Sequence, residues 1–357
     1  MEQNGQVPEG TSMPSLACSF LHAAQQSRQA LPSGSRGDAS LVVQWPTLWL
    51  PTATSGPELK ADDLRARVND LTQWKQGDVR APHKPLLLLY ALARFAEGIE
   101  QFPFNRTEKP LVQLLNDFGP PRKRHDAYSF WRLPKDGLWT ISGDDDIRRT
   151  PSKNWFVTDA RRDNPVGRFP DDVAAVLRAN PPLISELVET LLDAHFEPSY
   201  HEDLLTALGF DPDELLTGRR TRRKRDPKFR EAVLRAYGYK CAVCGFEARV
   251  GSTLIGVDAA HVKWHRAHGS DEVSNGVALC ALHHRLLDRG AFTLAAASTR
   301  ERVVVVGEDT HGGEGFERWL LNYHGLPLAA PVRDTYRVAE PAMEWHHREV
   351  FRGPART

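Results

Sequence analysis

The sequence predicts an α+β protein in two folded parts: a mostly helical region with one short hairpin, then a smaller domain of strands and helices around a cysteine cluster. Three observations carry this. Apolar residues recur at helical spacing near 59–74, 170–178 and 182–195, and fill a long run after Pro82. Two short aromatic-rich segments flank a Pro-Lys-Asp-Gly turn at 134–137. Three of the four cysteines, Cys241, Cys244 and Cys280, fall within forty residues.

A chain of 357 residues has room for two ordinary domains plus tails, because single cores stop growing before that length. Its apolar runs stay below the ~18 residues of a membrane helix, so no membrane partner is expected. The opening MEQNGQVPEG lacks a basic region, and SLACSFLHAA is too weak and polar-flanked for a secretory signal, which leads us to expect a cytoplasmic protein. The 46 Lys+Arg and 46 Asp+Glu cancel, so net charge alone announces no nucleic-acid partner.

Residues 1–57, rich in Ser, Pro, Gly, Gln and Ala, read as a disordered tail in which Trp45, Leu48 and Trp49 could dock locally. A first domain is expected over 58–215. In it Leu64, Val68 and Leu71 mark a helix, and Pro82-His83-Lys84-Pro85 opens the buried helix LLLLYALARF. AYSFWRLPKDGLWTI (127–141) reads as two strands around a turn, and the later helices end near Gly209. Residues 216–227 form a basic linker whose Arg219, Arg220, Arg222, Arg223, Lys224 and Arg225 suit either solvent or DNA phosphate. The second domain, 228–357, should hold a helix to Ala236, the cysteine knuckle, a hairpin, a short helix near 281–287, strands, and a helix near 339–351.

Clustered, odd-numbered cysteines in a cytoplasmic protein argue for metal rather than disulfides. Cys241-x-x-Cys244 and Cys280-x-x-His283 supply the four soft or borderline ligands that a structural zinc prefers. His283 and His284 are about 100° apart on a helix, but His284 and Asp288 are i and i+4 and share a face, which makes them a candidate second metal site. On the preceding strand, period two puts Asp258 and His261 on opposite sides, so Asp258 can lean toward that metal while His261 faces substrate. His265, His268, His346 and His347 read as surface or packing residues.

The order His261, Asn275, His284, with Asp288 a turn later, resembles the ββα-metal HNH nucleases, and AAHVKWH…SNGVALCALHHRLLDRG resembles their zinc-knuckle restriction-enzyme branch. The resemblance covers about 228–310. It implies that His261 is the general base, that Asn275 holds the loop and base in position, and that His284 and Asp288 bind Mg²⁺ or Mn²⁺ at the scissile phosphate. Many members carry a metal ligand just before the base; here Ala260 stands there, and the duty passes to Asp258.

Arg80-Ala-Pro-His83-Lys84-Pro and Ala-Tyr128-Ser129-Phe130-Trp131-Arg132…Gly137-Leu-Trp139 resemble the sulfur-binding domain of restriction enzymes that recognise phosphorothioate-modified DNA, over roughly 60–210. The resemblance implies double-stranded DNA as partner and a shallow apolar pocket, edged by cations, for a backbone sulfur. Sulfur is polarizable and a poor hydrogen-bond acceptor, so it tolerates a ring face where an oxygen would be left unsatisfied. Arg80 is carried over as a cationic contact and Tyr128 with Ser129 as pocket wall, although the family often has proline at Ser129; His83, Lys84 and Arg168 are further candidates. Phe130 and Trp139 belong mainly to the core.

Taken together, these readings predict a modification-dependent DNA endonuclease. The alternatives are a zinc-module regulator without catalysis, which would not need His261, Asn275, His284 and Asp288 as well, and an HNH nuclease reading methylated or unmodified DNA. Cutting both strands takes two active sites, so a homodimer is expected on symmetry grounds.

Overall fold

The computed structural model describes residues 59–71, 78–122, 127–212, 215 and 227–357. The expected tail and the basic run Arg219–Arg225 lie outside the described residues.

In the first domain, helices α1 (Ala61–Asn69), α2 (His83–Ala96), α3 (Phe104–Phe118), α4 (Ser129–Arg132), α5 (Val157–Asp163), α6 (Asp171–Ala179), α7 (Pro182–His195) and α8 (Pro198–Leu208) accompany a small antiparallel sheet. Its strands are β1 (Phe102–Pro103), β2 (Thr140–Ser142) and β3 (Val166–Arg168), with β3 in the middle. Helix α2 is apolar on nearly every side because it is the central helix, packed against α3, α4, α7 and α8. Its Leu86, Leu87, Leu88 and Leu89 are fully buried, as are Phe130 and Trp139.

The expected hairpin over 127–141 is not present. Its first half is α4 and a 3-10 turn, Leu133–Asp136, which Gly137 ends in the left-handed region at φ 67°. Only Thr140–Ser142 is a strand, and it pairs with β3. Phe130 and Leu133 are both buried three residues apart, so the apolar residues here follow a helical rather than a two-residue period. The sheet packs tightly on Trp139: a Cβ on Gly167 would lie 2.2 Å from its ring. Helix α3 has no predicted counterpart. Pro110 inside it argues against a helix, yet Thr107, Leu111, Leu114, Leu115 and Phe118 bury one continuous face.

The second domain opens with α9 (Pro227–Ala236) and the hairpin β4 (Ala248–Val250) and β5 (Thr253–Ile255). Strands β6 (Val257–His261) and β7 (Gly276–Cys280) pair antiparallel in unbroken register, and α10 (Ala281–Asp288) follows β7 directly. A second hairpin, β8 (Phe292–Ala296) and β9 (Arg302–Val306), then α11 (Glu314–Trp319) and α12 (Glu340–Glu349) complete it. This is a ββα unit with additions.

Both domains fall in one compact unit, Gly56–Thr357. Trp264, Trp345 and Val350 of the second domain bury in the core of the first. The Glu349 carboxylate, fully buried, accepts hydrogen bonds from the Arg80 backbone and from the Arg122 and Arg348 side chains. Among the described residues, no helix is long and apolar enough to cross a membrane.

Candidate active site and DNA-reading surface

His261 ends β6 and pairs across the hairpin with Gly276. One face of its ring stacks on Phe229 of α9, with centroids 4.0 Å apart and planes 15° apart. Its Nε2 lies 2.8 Å from Asp271 Oδ1. A carboxylate can only accept, so Nε2 carries the proton, and the basic nitrogen of the neutral ring is Nδ1.

The loop from Val262 to Ser274 is tied to its own base by Asn275. Asn275 Oδ1 accepts from Lys263 N at 2.9 Å, and Nδ2 donates to Lys263 O at 2.9 Å and Ser270 O at 2.8 Å. Every polar atom of this buried amide is satisfied. The loop closes so tightly that a Cβ on Gly269 would lie 1.9 Å from Lys263 O.

His284 and Asp288 share one face of α10, with Nε2 and Oδ2 3.7 Å apart and both side chains largely buried. Asp258 does not join them. Its Oδ1 accepts from Arg230 Nε at 2.8 Å and from the Ala259 amide, and the only cluster of three or more ligand-type groups among the described residues lies elsewhere. The regular strand thus directs the Asp258 Oδ1 to an arginine of α9.

That cluster is Cys241, Cys244, Cys280 and His283, whose ligand atoms all lie within 4.8 Å of one another. Cys244 and Cys280 sulfurs are 4.0 Å apart and Cys280 Sγ is 3.1 Å from His283 Nδ1. Four ligands at ~2.3 Å from a tetrahedral ion stand ~3.8 Å apart, which is this spacing. His283 Nε2 donates to Trp319 O at 2.7 Å, which leaves Nδ1 facing the sulfurs. Within the cluster, the hydrogen bond from Cys280 holds the Cys241 thiol low, and donating to Cys241 pushes Cys280 up.

In the first domain, α2 and α4 bring His83, Lys84, Tyr128 and Ser129 together. Tyr128 is 39% exposed, its ring edge-on to Trp131 at 5.5 Å and 6.5 Å from His83. The Ser129 hydroxyl is buried without a hydrogen-bond partner. Lys84 Nζ sits 2.6 Å from Asp136, a nearly buried carboxylate. Arg168 lies on β3 and pairs with Asp171.

Arg80 is not at this surface. Its guanidinium donates to Glu349 O at 2.9 Å and Phe118 O at 3.0 Å and lies 4.2 Å from the Trp264 ring centroid. Burial pushes it down to about 10. The structure places Arg80 between the domains instead of at the surface where the DNA contact is expected of it, with Nη1 and Nη2 each donating to a backbone oxygen there.

Sequence reasoning missed Asp271, whose Ser-Asp-Glu setting reads as ordinary surface, and Asp136, which reads only as a turn residue. It missed Arg132 as well, which donates to Ser152 O and Asn154 Oδ1 and so holds the 150–154 loop beside α4. Long-range pairing of this kind has no local signature.

A ββα unit beside a Cys₃His knuckle, with His261, Asn275 and His284 in order, defines a nuclease domain of the HNH class, and residues 241–295 match the family described as HNH endonuclease. Residues 61–213 match the family described as ScoMcrA-like, DNA sulfur-binding domain. The chain thus joins a ScoMcrA-like DNA sulfur-binding domain to an HNH endonuclease domain.

Among solved structures, the sulfur-binding domain of ScoMcrA complexed with phosphorothioated DNA is 22% identical, over 42% of this chain and 96% of that one, with a TM-score of 0.37. The phosphorothioation-dependent restriction endonuclease ScoMcrA is 24% identical, over 43% of this chain and 33% of that one, at 0.37. The modification-dependent TagI restriction endonuclease is 21% identical, over 34% and 37%, at 0.25. No curated protein matches the chain.

Proposed function

We propose that this protein is a modification-dependent restriction endonuclease: residues 58–215 bind phosphorothioate-modified duplex DNA, and residues 228–357 hydrolyse a phosphodiester bond. The observation that carries this is the presence in one chain of a DNA sulfur-binding domain and an HNH endonuclease domain.

In this reading His261 accepts the proton of the attacking water at Nδ1, with Asp271 on Nε2 and Phe229 under the ring fixing its orientation. Asn275 keeps the loop after the base in place. His284 and Asp288 would hold a Mg²⁺ or Mn²⁺ ion, which when bound neutralises charge developing on the phosphate. The Cys₃His cluster would hold zinc, a dication able to keep all three sulfurs as thiolates.

For the reader, Tyr128 and Ser129 form the pocket wall, with His83 beside them and Lys84 at the edge. Cleavage of both strands would take two copies.

The test is to incubate the protein with phosphorothioate-modified, methylated and plain duplexes of one sequence in Mn²⁺ or Mg²⁺. Cutting confined to the modified duplex is expected; equal cutting of all three would remove the sulfur dependence, and no cutting of any would remove the nuclease.

A further inference from the structure

Helix α8 belongs to the first domain, yet its Tyr200 is fully buried against the nuclease. The hydroxyl donates to the main-chain oxygen of Asp288 at 2.9 Å. The ring meets Trp264 edge-on at 5.6 Å, and the Arg289 guanidinium lies 4.2 Å from its centroid.

Trp264 is the third residue after His261, and Asp288 is the last residue of α10. One side chain therefore touches both the segment leaving the base and the helix end carrying a proposed metal ligand. The last carbonyls of a helix have no partner within it, and an orphan left in a buried place must be met from outside. At Asp288 the partner comes from the other domain. Neighbouring ion pairs brace the same two pieces: Lys263 to Asp78 at 2.9 Å, and Arg285 to Asp203 of α8 at 2.8 Å.

We propose that Tyr200 is a positioning residue of the nuclease: by capping the end of α10 it fixes Asp288 relative to the His261 loop, so that the first domain completes the active site as well as reading DNA. This rests on the reading of His284 and Asp288 as metal ligands. Tyr200 touches no reacting atom and acts through the end of α10 and the Trp264 segment.

The test uses the full-length zinc-loaded protein and compares Tyr200→Phe, which keeps the ring, with Asp288→Ala. Mn²⁺ binding is read directly by electron paramagnetic resonance without DNA, and single-turnover cleavage of the modified duplex is read against Mn²⁺ concentration. Loss of one hydrogen bond should weaken Mn²⁺ binding by about two- to tenfold. The cleavage rate should fall with it and recover at high Mn²⁺, with zinc content and DNA affinity unchanged. A merely structural tyrosine would lower the melting temperature and leave Mn²⁺ affinity alone, and that result overturns the proposal. Wild-type Mn²⁺ binding and cleavage in Tyr200→Phe, with both lost in Asp288→Ala, also overturns it while sparing the metal reading. Retention of both in Asp288→Ala defeats the metal reading, and the proposal with it.

Discussion

Asp271 Oδ1 lies 2.8 Å from His261 Nε2, so the base of the proposed reaction is held by a carboxylate ten residues further along the chain. His261→Ala should lower cleavage by about 10²- to 10⁴-fold, with zinc content and DNA binding intact. Asp271→Asn keeps a hydrogen-bonding group but can also donate, so it no longer enforces the tautomer, and a smaller fall in kcat with KM unchanged is expected. Single-turnover rates of both variants would check this; a His261→Ala enzyme within tenfold of wild type would remove His261 from the role.

Replacing Cys241 or Cys280 by Ala should unfold the second domain rather than slow it, because a structural zinc contributes on the order of 10 kcal/mol to such small units. Chelation should act likewise. Circular dichroism with zinc analysis decides it, since a normally melting variant lacking zinc would contradict the structural role.

Tyr128→Ala should abolish the preference for phosphorothioate over plain duplex while leaving plain-duplex affinity unchanged. The ring offers apolar surface that only sulfur gains from. Binding titrations of both duplexes at one salt concentration are the measurement, and equal losses on both would show that Tyr128 serves the backbone generally.

Arg80→Ala should behave in the opposite way. Its guanidinium bonds Glu349 O and Phe118 O and stacks on Trp264, so its loss should reduce stability by on the order of 2 kcal/mol and leave the modified-to-plain binding ratio unchanged. Denaturant melts and the same titrations separate the two effects.

His346 supplies a pH dependence. It is fully buried, receives the Thr293 hydroxyl at Nδ1 and donates from Nε2 to Leu287 O, and burial pushes it down to about 4. The unfolded chain takes up this proton near pH 6.5 and the folded one does not until about 4, so stability is complete above the upper value and falls as pH drops through the window. The loss is on the order of 3 kcal/mol. Urea midpoints measured from pH 7 to 4 should fall more steeply for wild type than for His346→Gln; parallel slopes would assign the window to other groups.

The parts of this molecule legible in its sequence are those whose chemistry repeats locally. The C-x-x-C and C-x-x-H knuckles lie together as their spacing implies, and His284 and Asp288 share a face because they are one turn apart. The leucine run of α2 is core because nothing polar interrupts it. Illegible were contacts between distant segments: Arg230 taking Asp258, Glu349 receiving Arg80, and Asp271 reaching His261. Arg80 stands in a basic, proline-rich stretch that suits DNA equally well, and only the docking of α12 decides its use. The 127–141 segment reads as strand because Tyr128 and Phe130 alternate with Ser129, and so few residues do not separate that period from a single helical turn.

The Lys84–Asp136 pair bears on how ionic strength would act on the proposed reader. An ammonium already neutralised by a neighbouring carboxylate displaces few counterions when a phosphate group arrives, so the pocket edge contributes little to the salt dependence of binding. Contacts elsewhere along the backbone weaken as salt rises, whereas attraction between a ring and a sulfur atom does not. Discrimination between modified and ordinary DNA would then persist, rather than fade, in a concentrated ionic medium, because the contacts common to both duplexes weaken by the same factor.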